Sequence, residues 1–426
     1  MPNDIFIYIG ENAAGQVIEY CQEHHKDKLM LVADENTYAA AGQSLEAKLK
    51  AAGFDVKTAL LTGEEIIATE RYFVDVMLQT GQEERAYIAV GSGSITDITR
   101  FVSFHTRSDF MAFPTAASVD GYTSAGAPSV IVGFKKTVMC HSPQAVFGDL
   151  AVLSAAPQVM TASGFGDMLG KYIALADWQL GHLLWNEPFD AEICRRVQIA
   201  LQSCVDHAEA IGQASQDGLQ ALLDGLIESG FCMLDFNGSR PASGSEHQVS
   251  HHLEMKLIEQ QRPAVLHGAK VGASTVIMAG LYDKLRQMSR AEALERLEEA
   301  ELTPADVHRQ AIRAAYPAIA DKVMAEQSKF LAMTEADFDQ LKHKIADHWT
   351  EIQAIAATVP TPDQVTTWLT QVGGATTLQS LGFSDAEVAE AVRNAHYLRD
   401  RFNVDKLGHI IGLSLVSVNH DFMPTR

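Results

Sequence analysis

The chain has 426 residues, 47% of them hydrophobic, and its 33 lysines and arginines against 54 aspartates and glutamates give a formal net charge of −21. This acidity disfavours nucleic acid as a partner, because duplexes attract surfaces rich in Lys and Arg. No apolar run approaches the roughly 18–20 residues that span a bilayer, and the N-terminus lacks the pattern of a signal peptide. The number and spacing of the five cysteines indicate neither a disulfide framework nor a thiolate zinc site. We therefore expect a cytoplasmic protein that binds neither nucleic acid nor membrane.

The first 155 residues alternate short β-like runs with helical segments. The runs cover residues 5–9, 28–33, 55–60, 86–90 and 109–113. Several are continuously apolar, which is typical of parallel strands covered on both faces. The pattern predicts an α/β domain over residues 1–155 with a Rossmann-like open sheet. Two further runs, 129–132 and 135–139, are separated by Gly133 and Phe134 and predict a hairpin.

From residue 156 onward the pattern becomes helical. Helix-forming residues dominate 191–227, 290–300 and 336–357, with apolar positions at three- and four-residue spacing. Four prolines stand where new helices could begin: Pro263, Pro304, Pro317 and Pro362. The pattern predicts an all-α domain over residues 156–426, and we expect an active site in the cleft between the two domains.

A candidate nucleotide-binding loop follows the fourth predicted strand. It reads Gly91-Ser-Gly-Ser-Ile-Thr-Asp97 and leads into a helical stretch. Glycines directly after a buried strand let the backbone approach a pyrophosphate, and the next helix start supplies N–H groups and a favourable dipole. The loop matches neither Gly-x-Gly-x-x-Gly nor a Walker loop, so an ordinary strand–helix turn is the alternative.

Two other segments extend this nucleotide hypothesis. Asp34 ends the second predicted strand, where a carboxylate could accept hydrogen bonds from an adenosine ribose; a helix cap or a turn is the alternative. Small and hydroxyl side chains follow the fifth strand over residues 113–121, with Ser124 just beyond. Thr115 and Ser118 could hydrogen-bond the polar edge of a flat ring, or they could serve turn geometry.

Three residues of the helical half form a candidate metal-binding set. Asp167 lies near the predicted start of the first long helix there, and His267 lies near the start of a later helix that follows a proline. His247 is four residues from His251, so both face one side of a helix. A carboxylate and two imidazoles suit a zinc, nickel or iron(II) ion and leave positions open for a substrate. Because the chain has 16 histidines, a solvated helix face is the alternative.

Five motifs occur together in one order. They are Gly91-Ser-Gly-Ser-Ile-Thr-Asp97, Pro114-Thr-Ala-Ala-Ser-Val-Asp-Gly121, Gly166-Asp-Met-Leu-Gly-Lys171, Ser243-Gly-Ser-Glu-His247 and Leu266-His-Gly268. Over residues 5–280 the chain resembles the sn-glycerol-1-phosphate dehydrogenases, in particular their bacterial branch, within the dehydroquinate synthase-like and iron-type alcohol dehydrogenase superfamily. The resemblance implies an α/β nucleotide domain, a helical domain and a metal between them.

The resemblance also implies an activity. It is the reversible reduction of dihydroxyacetone phosphate to sn-glycerol 1-phosphate by NAD(H) or NADP(H), in the setting of phospholipid biosynthesis. The hydride would leave nicotinamide C4 while a metal polarises the carbonyl. One divalent ion per subunit is implied, with Zn²⁺ or Ni²⁺ ahead of Fe²⁺, and the protein would be a homo-oligomer with a small phosphorylated triose or glycerol as its substrate.

Carried over motif by motif, the resemblance assigns three groups of residues. Asp167, His247 and His267 would hold the metal and carry the catalysis. Asp120 and His251 would contact the substrate, with Asp167 beside it, and a fourth-ligand role is the second choice for His251. The cofactor-binding set, which includes the ribose candidate of the second strand, is Asp34, Gly91, Gly93, Ser94, Ile95, Thr96, Asp97, Thr115, Ala116, Ala117, Ser118 and Ser124.

The chain departs from the family pattern at Ser92 and Thr96 in the glycine loop and at Val119 and Gln248 beside the proposed site. Changes at the last two positions could alter substrate preference. A glycerol or other polyol dehydrogenase of the same superfamily is the alternative enzyme. A non-catalytic nucleotide- or metal-binding protein is the alternative outside enzymes. A cyclase of the dehydroquinate synthase kind is disfavoured, because Asp167 stands where those enzymes carry Glu.

Overall fold

The computed structural model describes residues 5–131 and 134–413. Its strands are β1 (Phe6–Gly10), β2 (Lys28–Asp34), β3 (Asp55–Leu61), β4 (Ala86–Gly91), β5 (Phe110–Pro114), β6 (Gly126–Ile131), β7 (Phe134–Met139) and β8 (Ala145–Asp149). The helices between and directly after these strands are α1 (Ala13–Glu23), α2 (Glu35–Thr37), α3 (Gln43–Ala51), α4 (Glu70–Thr80), α5 (Gly93–His105) and α6 (Leu150–Ser154), and a π-helical turn (Tyr38–Gly42) joins α2 to α3.

Six strands form one parallel sheet in the order β1-β8-β5-β4-β2-β3. The predicted open sheet is thereby confirmed, and each of its five predicted strands is found within one residue of the expected bounds. Strand β8 is missing from the prediction. It lies between β1 and β5 and therefore connects β1 to the rest of the sheet.

Helices cover both faces of this sheet, which explains the continuously apolar strands. In β2, Leu29 and Leu31 pack into one apolar cluster with Val17 of α1. The alternate residues Met30 and Val32 pack into a second cluster on the other face, with residues of α4 and α5. Because successive side chains of a strand point to opposite faces, a strand buried on both faces needs apolar residues at every position.

Strands β6 and β7 pair antiparallel, as the predicted hairpin requires. The predicted connection is displaced, because Phe134 is a strand residue that pairs with Ile131. Residues 132–133, which include the predicted Gly133 of the turn, lie outside the described residues.

The chain from α6 onward is helical, as predicted. The helices are α7 (Gln158–Leu169), α8 (Lys171–Trp185), α9 (Ala191–Asp206), α10 (Ala208–Gly212), α11 (Gln216–Phe236), α12 (Ser245–Glu259), α13 (His267–Gln287), α14 (Arg290–Glu299), α15 (Ala305–Ala315), α16 (Ala320–Glu326), α17 (Ser328–Leu331), α18 (Glu335–Asp347), α19 (Trp349–Ala357), α20 (Pro362–Gln371), α21 (Asp385–Asn394) and α22 (Val404–Ile410), with 3₁₀ turns at Gln379–Leu381 and Ala395–Leu398. Within residues 5–131 and 134–413, no helix is both long and apolar enough to cross a bilayer.

The helix boundaries agree with the prolines only in part. Pro304 directly precedes α15 and Pro362 is the first residue of α20, as predicted. Helices α13 and α16 begin several residues after Pro263 and Pro317. The predicted helical stretch 191–227 is divided among α9, α10 and α11, and the stretch 336–357 between α18 and α19.

Helices α7 and α13 approach each other closely at glycine positions. A Cβ on Gly268 would lie 1.9 Å from the backbone oxygen of Ser163, and one on Gly166 would lie 2.4 Å from the backbone oxygen of Gly268. No side chain fits at such distances, so glycine is required for the two backbones to meet. Asp167 follows Gly166 and His267 precedes Gly268. The packing of the two helices therefore brings two candidate metal ligands together.

Replacing Gly268 with alanine should destabilise the protein by about 2 kcal/mol or more, because the added methyl group meets backbone that cannot rotate away. The midpoint of urea unfolding measures the effect. Gly238→Ala is the matched control, since the nearest neighbour of its Cβ would be 3.6 Å away, on the side chain of Phe236. Equal losses of stability in the two variants would contradict the packing argument.

Candidate metal and nucleotide site

Asp167 is a fully buried carboxylate with several charged or polar partners. It lies in the last turn of α7, not near the start of a helix as predicted, because α7 already begins at Gln158. Its Oδ1 is 3.1 Å from Nζ of Lys171 and 3.4 Å from Nε2 of His247. Its Oδ2 accepts a hydrogen bond from the backbone N–H of Asp120 at 3.1 Å. These partners offset the cost of burying the charge.

Three histidine rings lie close together, and two of them, those of His247 and His267, lie beside this carboxylate. The ring centroid of His247 lies 5.2 Å from that of His267 and 6.0 Å from that of His251, and the last two centroids are 5.6 Å apart. The prediction that His247 and His251 share one helix face is confirmed, as is the start of a helix at His267.

The spacing of Asp167, His247 and His267 fits a divalent cation. Each residue offers one donor atom, and these atoms all lie within 4.8 Å of one another. On a tetrahedral zinc ion with bonds of about 2.1 Å, two donors lie roughly 3.4 Å apart. The distance between Asp167 Oδ1 and His247 Nε2 is 3.4 Å. This pair is therefore already spaced as such an ion requires.

A second buried carboxylate, that of Glu246, holds the ring of His247. Glu246 Oε1 lies 2.5 Å from His247 Nδ1 and accepts a hydrogen bond from the backbone N–H of Gly244 at 2.9 Å. A carboxylate on one ring nitrogen fixes the tautomer and turns the other nitrogen toward a metal. Burial favours the neutral ring, but the hydrogen bonds to Asp167 and Glu246 outweigh it and raise the pKa of His247 to about 9.

Lys171 is a buried, charged residue of this region to which the sequence patterns assign no role. Its buried Nζ lies 2.8 Å from Asp120 Oδ2 and 3.1 Å from Asp167 Oδ1. Burial opposes the charge of Lys171, yet the two carboxylates outweigh it and raise its pKa above the ordinary value. Burial likewise opposes ionisation of Asp167, and Lys171 outweighs that effect and keeps the pKa of Asp167 below its usual range. The four-residue spacing from Asp167 to Lys171 could have indicated this pair.

Asp120 is also held from the helical half. The hydroxyl of Ser229 on α11 donates to Asp120 Oδ2 at 2.9 Å. Nothing in the local sequence could have indicated this contact, because the two residues are 109 positions apart. Asp120 is therefore fixed by Lys171, Ser229 and its own N–H bond to Asp167, and it joins the loop after β5 to the metal-binding candidates.

The predicted cofactor segments lie at the carboxyl ends of neighbouring strands. They follow β2, β4 and β5, which are neighbours in it. Gly91 pairs with Pro114 where β4 and β5 end, and the N–H of Thr115 donates to the Gly91 oxygen at 3.3 Å. Helix α5 begins at Gly93, and the side chain of its N-cap residue, Ser92, makes no capping hydrogen bond. Open N–H groups at a helix start beside the carboxyl ends of parallel strands can bind an anionic nucleotide.

In the loop 91–97, burial limits which atoms could contact a cofactor. The side chains of Ile95 and Thr96 are buried, so their backbones are the parts that could face a ligand. Asp97 Oδ1 is paired with the buried guanidinium of Arg100 at 2.8 Å. Ser94 is half-buried. The structure therefore favours contact through backbone N–H groups over contact through most of the predicted side chains.

Asp34 ends β2 and caps the helix that follows. Its Oδ1 accepts a hydrogen bond from the N–H of Thr37 at 2.8 Å, and its own N–H donates to the Thr37 hydroxyl at 3.0 Å. The helix cap that was the alternative for Asp34 is thus present, and the ribose contact stays a prediction.

The loop after β5 is packed firmly in place. Its predicted cofactor residues Thr115, Ala116, Ala117 and Ser118 are all buried. The oxygen of Ser118 accepts a hydrogen bond from the Ser163 hydroxyl of α7 at 3.2 Å.

Farther along this loop, Arg100 donates to the backbone oxygens of Gly121 and Gly126 at 2.6 and 2.9 Å. The hydroxyl of Ser124 donates to Gly121 at 3.1 Å. The loop after β5, which contains Asp120, therefore connects the ends of β4 and β5 with the metal-binding candidates.

Asp177 of α8 anchors the start of the helix that carries His247. Its Oδ2 accepts the N–H of Ser245 at 2.7 Å. Its Oδ1 accepts the hydroxyl of Tyr282 at 2.6 Å and the N–H of Val404 at 2.8 Å. Burial raises the pKa of Asp177 to about 6. One side chain thus connects α8, α12, α13 and the start of α22.

The fold has known counterparts. A sequence model of the family described as iron-containing alcohol dehydrogenase matches residues 8–157. The crystal structure of glycerol dehydrogenase from Schizosaccharomyces pombe superposes with a TM-score of 0.60 at 17% sequence identity, covering 97% of this chain and 90% of that one. The chain thus has the fold of that glycerol dehydrogenase, and over residues 8–157 its sequence is similar to the iron-containing alcohol dehydrogenases.

Relatives with higher sequence identity identify the family. Glycerol-1-phosphate dehydrogenase (NAD(P)⁺) of Bacillus subtilis is 37% identical over 398 residues, which cover 93% of this chain and 88% of that protein. The protein of the same name from Pyrococcus furiosus is 31% identical over 277 residues, 65% of this chain and 78% of that protein. The chain belongs to the glycerol-1-phosphate dehydrogenases, a family of oxidoreductases. The resemblance drawn from the five motifs is confirmed.

Loading metal-stripped protein with Zn²⁺ at about pH 7.5 should release about one proton from His247, because a charged ring must lose its proton before it can bind a metal. Because the pKa of His247 is about 9, the ring is mostly protonated at pH 7.5. The number of protons that it releases on metal binding falls as the pH rises through 9. Calorimetry in buffers of different ionisation enthalpy measures the protons. Glu246→Gln removes one group that raises this pKa, so metal binding to this variant should release fewer protons. A heat of binding that is the same in every buffer for both proteins would refute the assignment.

Proposed function

We propose that this protein reversibly reduces dihydroxyacetone phosphate to sn-glycerol 1-phosphate with NADH or NADPH. The observation that carries the proposal is the convergence of Asp167, His247 and His267 into one donor set beside Asp120. It is supported by 37% identity over 93% of the chain to a glycerol-1-phosphate dehydrogenase (NAD(P)⁺).

In this proposal Asp167, His247 and His267 hold one divalent ion, Zn²⁺ or Ni²⁺ ahead of Fe²⁺. Such an ion supplies a Lewis acid that polarises a carbonyl oxygen. Glu246 orients the ring of His247 through a 2.5 Å contact. Lys171 keeps Asp167 ionised, so that the carboxylate is ready to bind a cation.

Asp120 and His251 face the substrate in this proposal. Asp120 is held rigidly by Lys171 and Ser229, so its carboxylate can position a hydroxyl group of a triose. His251 lies one turn beyond His247 and is only half-buried, which leaves its ring within reach of a ligand. A protonated His251 can pair with a phosphate anion.

The cofactor is placed along the carboxyl ends of β2, β4 and β5. The uncapped start of α5 binds the pyrophosphate through backbone N–H groups, and the buried loop 115–118 faces the nicotinamide. We place the boundary between the nucleotide domain and the helical domain at residues 155 and 156, between the end of α6 and the start of α7. We also propose a homo-oligomer, which light scattering of the purified protein tests.

A polyol dehydrogenase without a phosphate requirement is the second candidate. The observation in its favour is the fold shared with the glycerol dehydrogenase of S. pombe, at 17% identity. The two candidates share cofactor and metal and differ in what the substrate pocket accepts.

An assay with restored metal separates the candidates. Metal-stripped protein receives Zn²⁺, Ni²⁺ or Fe²⁺ with NADH, and dihydroxyacetone phosphate is compared with unphosphorylated dihydroxyacetone. We expect metal-dependent oxidation of NADH with the phosphate at a rate at least about tenfold above that with dihydroxyacetone, because a phosphate contact contributes binding energy that the smaller substrate lacks. Equal turnover of dihydroxyacetone would favour the polyol dehydrogenase, and bound NADH without turnover of either would contradict both.

Two histidine variants separate metal binding from substrate binding. His267→Ala should lose metal and nearly all activity while the protein remains folded, because it removes a donor of the set. His251→Ala should keep metal content near that of the unchanged protein and raise the KM for dihydroxyacetone phosphate by about tenfold, the effect of losing one charge-assisted contact. Metal analysis and steady-state kinetics on the same preparations decide. Equal loss of metal in both variants would make His251 a ligand instead.

A further inference from the structure

A second set of metal donors lies one helical turn along α12 from the first. His251, Glu254 and His267 each place one donor atom within 4.8 Å of the other two. His251 and Glu254 are three residues apart and lie on the same helix face. His267 faces them from α13, with its ring centroid 5.6 Å from that of His251. All three are partly exposed, so an ion could reach them from solvent.

The chemistry of this second set suits zinc. Two imidazoles and a carboxylate are a common zinc donor set in enzymes, with donors roughly 3.4 Å apart on the ion. The first set already contains a pair at that spacing, the 3.4 Å contact of Asp167 with His247. Asp167 and His247 of the first set are buried and held by Lys171 and Glu246, whereas all three side chains of the second set are partly exposed. Ordering them costs conformational entropy, so the second set should bind more weakly.

We propose that His251, Glu254 and His267 form a second, weaker site for a divalent cation of the zinc type, and that a cation bound there inhibits the enzyme. His267 belongs to both donor sets, so with both ions bound it would bridge them as an imidazolate, one ring nitrogen on each ion and its ring proton released to solvent. His251 is the proposed substrate contact. A cation at the second site therefore engages two side chains that the reaction needs. The inhibition rests on the proposed function, whereas the second binding event does not.

The binding event is tested by equilibrium dialysis of the full chain against rising Zn²⁺, with bound metal counted. The unchanged protein should bind one ion tightly and a second at higher concentration. Glu254→Gln should keep the first ion and lose affinity for the second by about tenfold or more, since even partners outside the ligand set typically contribute about 10–100-fold to metal affinity. His251→Ala, which removes another proposed ligand, should likewise keep the first ion and lose affinity for the second.

Glu259→Gln is the matched control. Glu259 lies on the same helix, is exposed and is 3.8 Å from Lys256, away from the histidines. This variant should bind both ions as the unchanged protein does. Binding of a second ion by Glu254→Gln with unchanged affinity, or saturation of the unchanged protein at one ion, would overturn the proposed site.

Kinetics test the inhibitory effect separately. Excess Zn²⁺ should slow NADH oxidation in competition with dihydroxyacetone phosphate, and Glu254→Gln should need about tenfold more Zn²⁺ for the same inhibition, in line with its weaker binding. Glu259→Gln should be inhibited like the unchanged protein. Equal sensitivity of both variants would refute the inhibitory role. A protein that fails to reduce the phosphate at all would refute the proposed function, and the dialysis result would still decide the site.

Discussion

The buried charge of Asp167 governs the arrangement of the groups around it. An ionised carboxylate removed from water needs opposite charge and hydrogen-bond donors, or it destabilises the fold. Here the partners are Lys171 at the start of α8, His247 of α12 and the N–H of Asp120 in the loop after β5. They come from three separate parts of the chain, so compensating one charge draws the helices and the sheet edge together. The same carboxylate is one of the three donors proposed for the cation.

The glycines of α7 and α13 allow the two helices to approach closely enough for these contacts. Charge compensation works only over short distances, and the helices can come close only where side chains are missing, as at Gly166 and Gly268. The loop through Asp120 then connects this region to the edge where β4 and β5 end. In the proposed function, one continuous loop thus connects the cofactor-binding ends of the strands with the metal donors.

The sequence predicts what depends on local pattern. Buried parallel strands need apolar residues at every position, and several of the five predicted strands show this pattern. Strand β8 is missing from the prediction because its apolar run, 145–147, is only three residues long and is followed by Gly148 and Asp149. Helix spacing placed His247 and His251 on one face. The contacts of Lys171 and Ser229 with Asp120 join distant parts of the chain, with 109 residues separating Ser229 from Asp120, and no local pattern encodes such contacts. By contrast, the contact of Lys171 with Asp167 follows a helical four-residue spacing.

The hydrogen bond from Val404 to Asp177 spans 227 residues and has a consequence for biosynthesis. Asp177 also holds the N–H of Ser245, at the start of the helix that carries His247. Chains fold from the N-terminus as they are made. The sheet can therefore form early, whereas the support beneath His247 is finished only after residue 404 has left the ribosome. A nascent chain would contain all three proposed metal ligands well before Asp177 could gain its bond from Val404, so stable binding of the proposed metal would come late in folding.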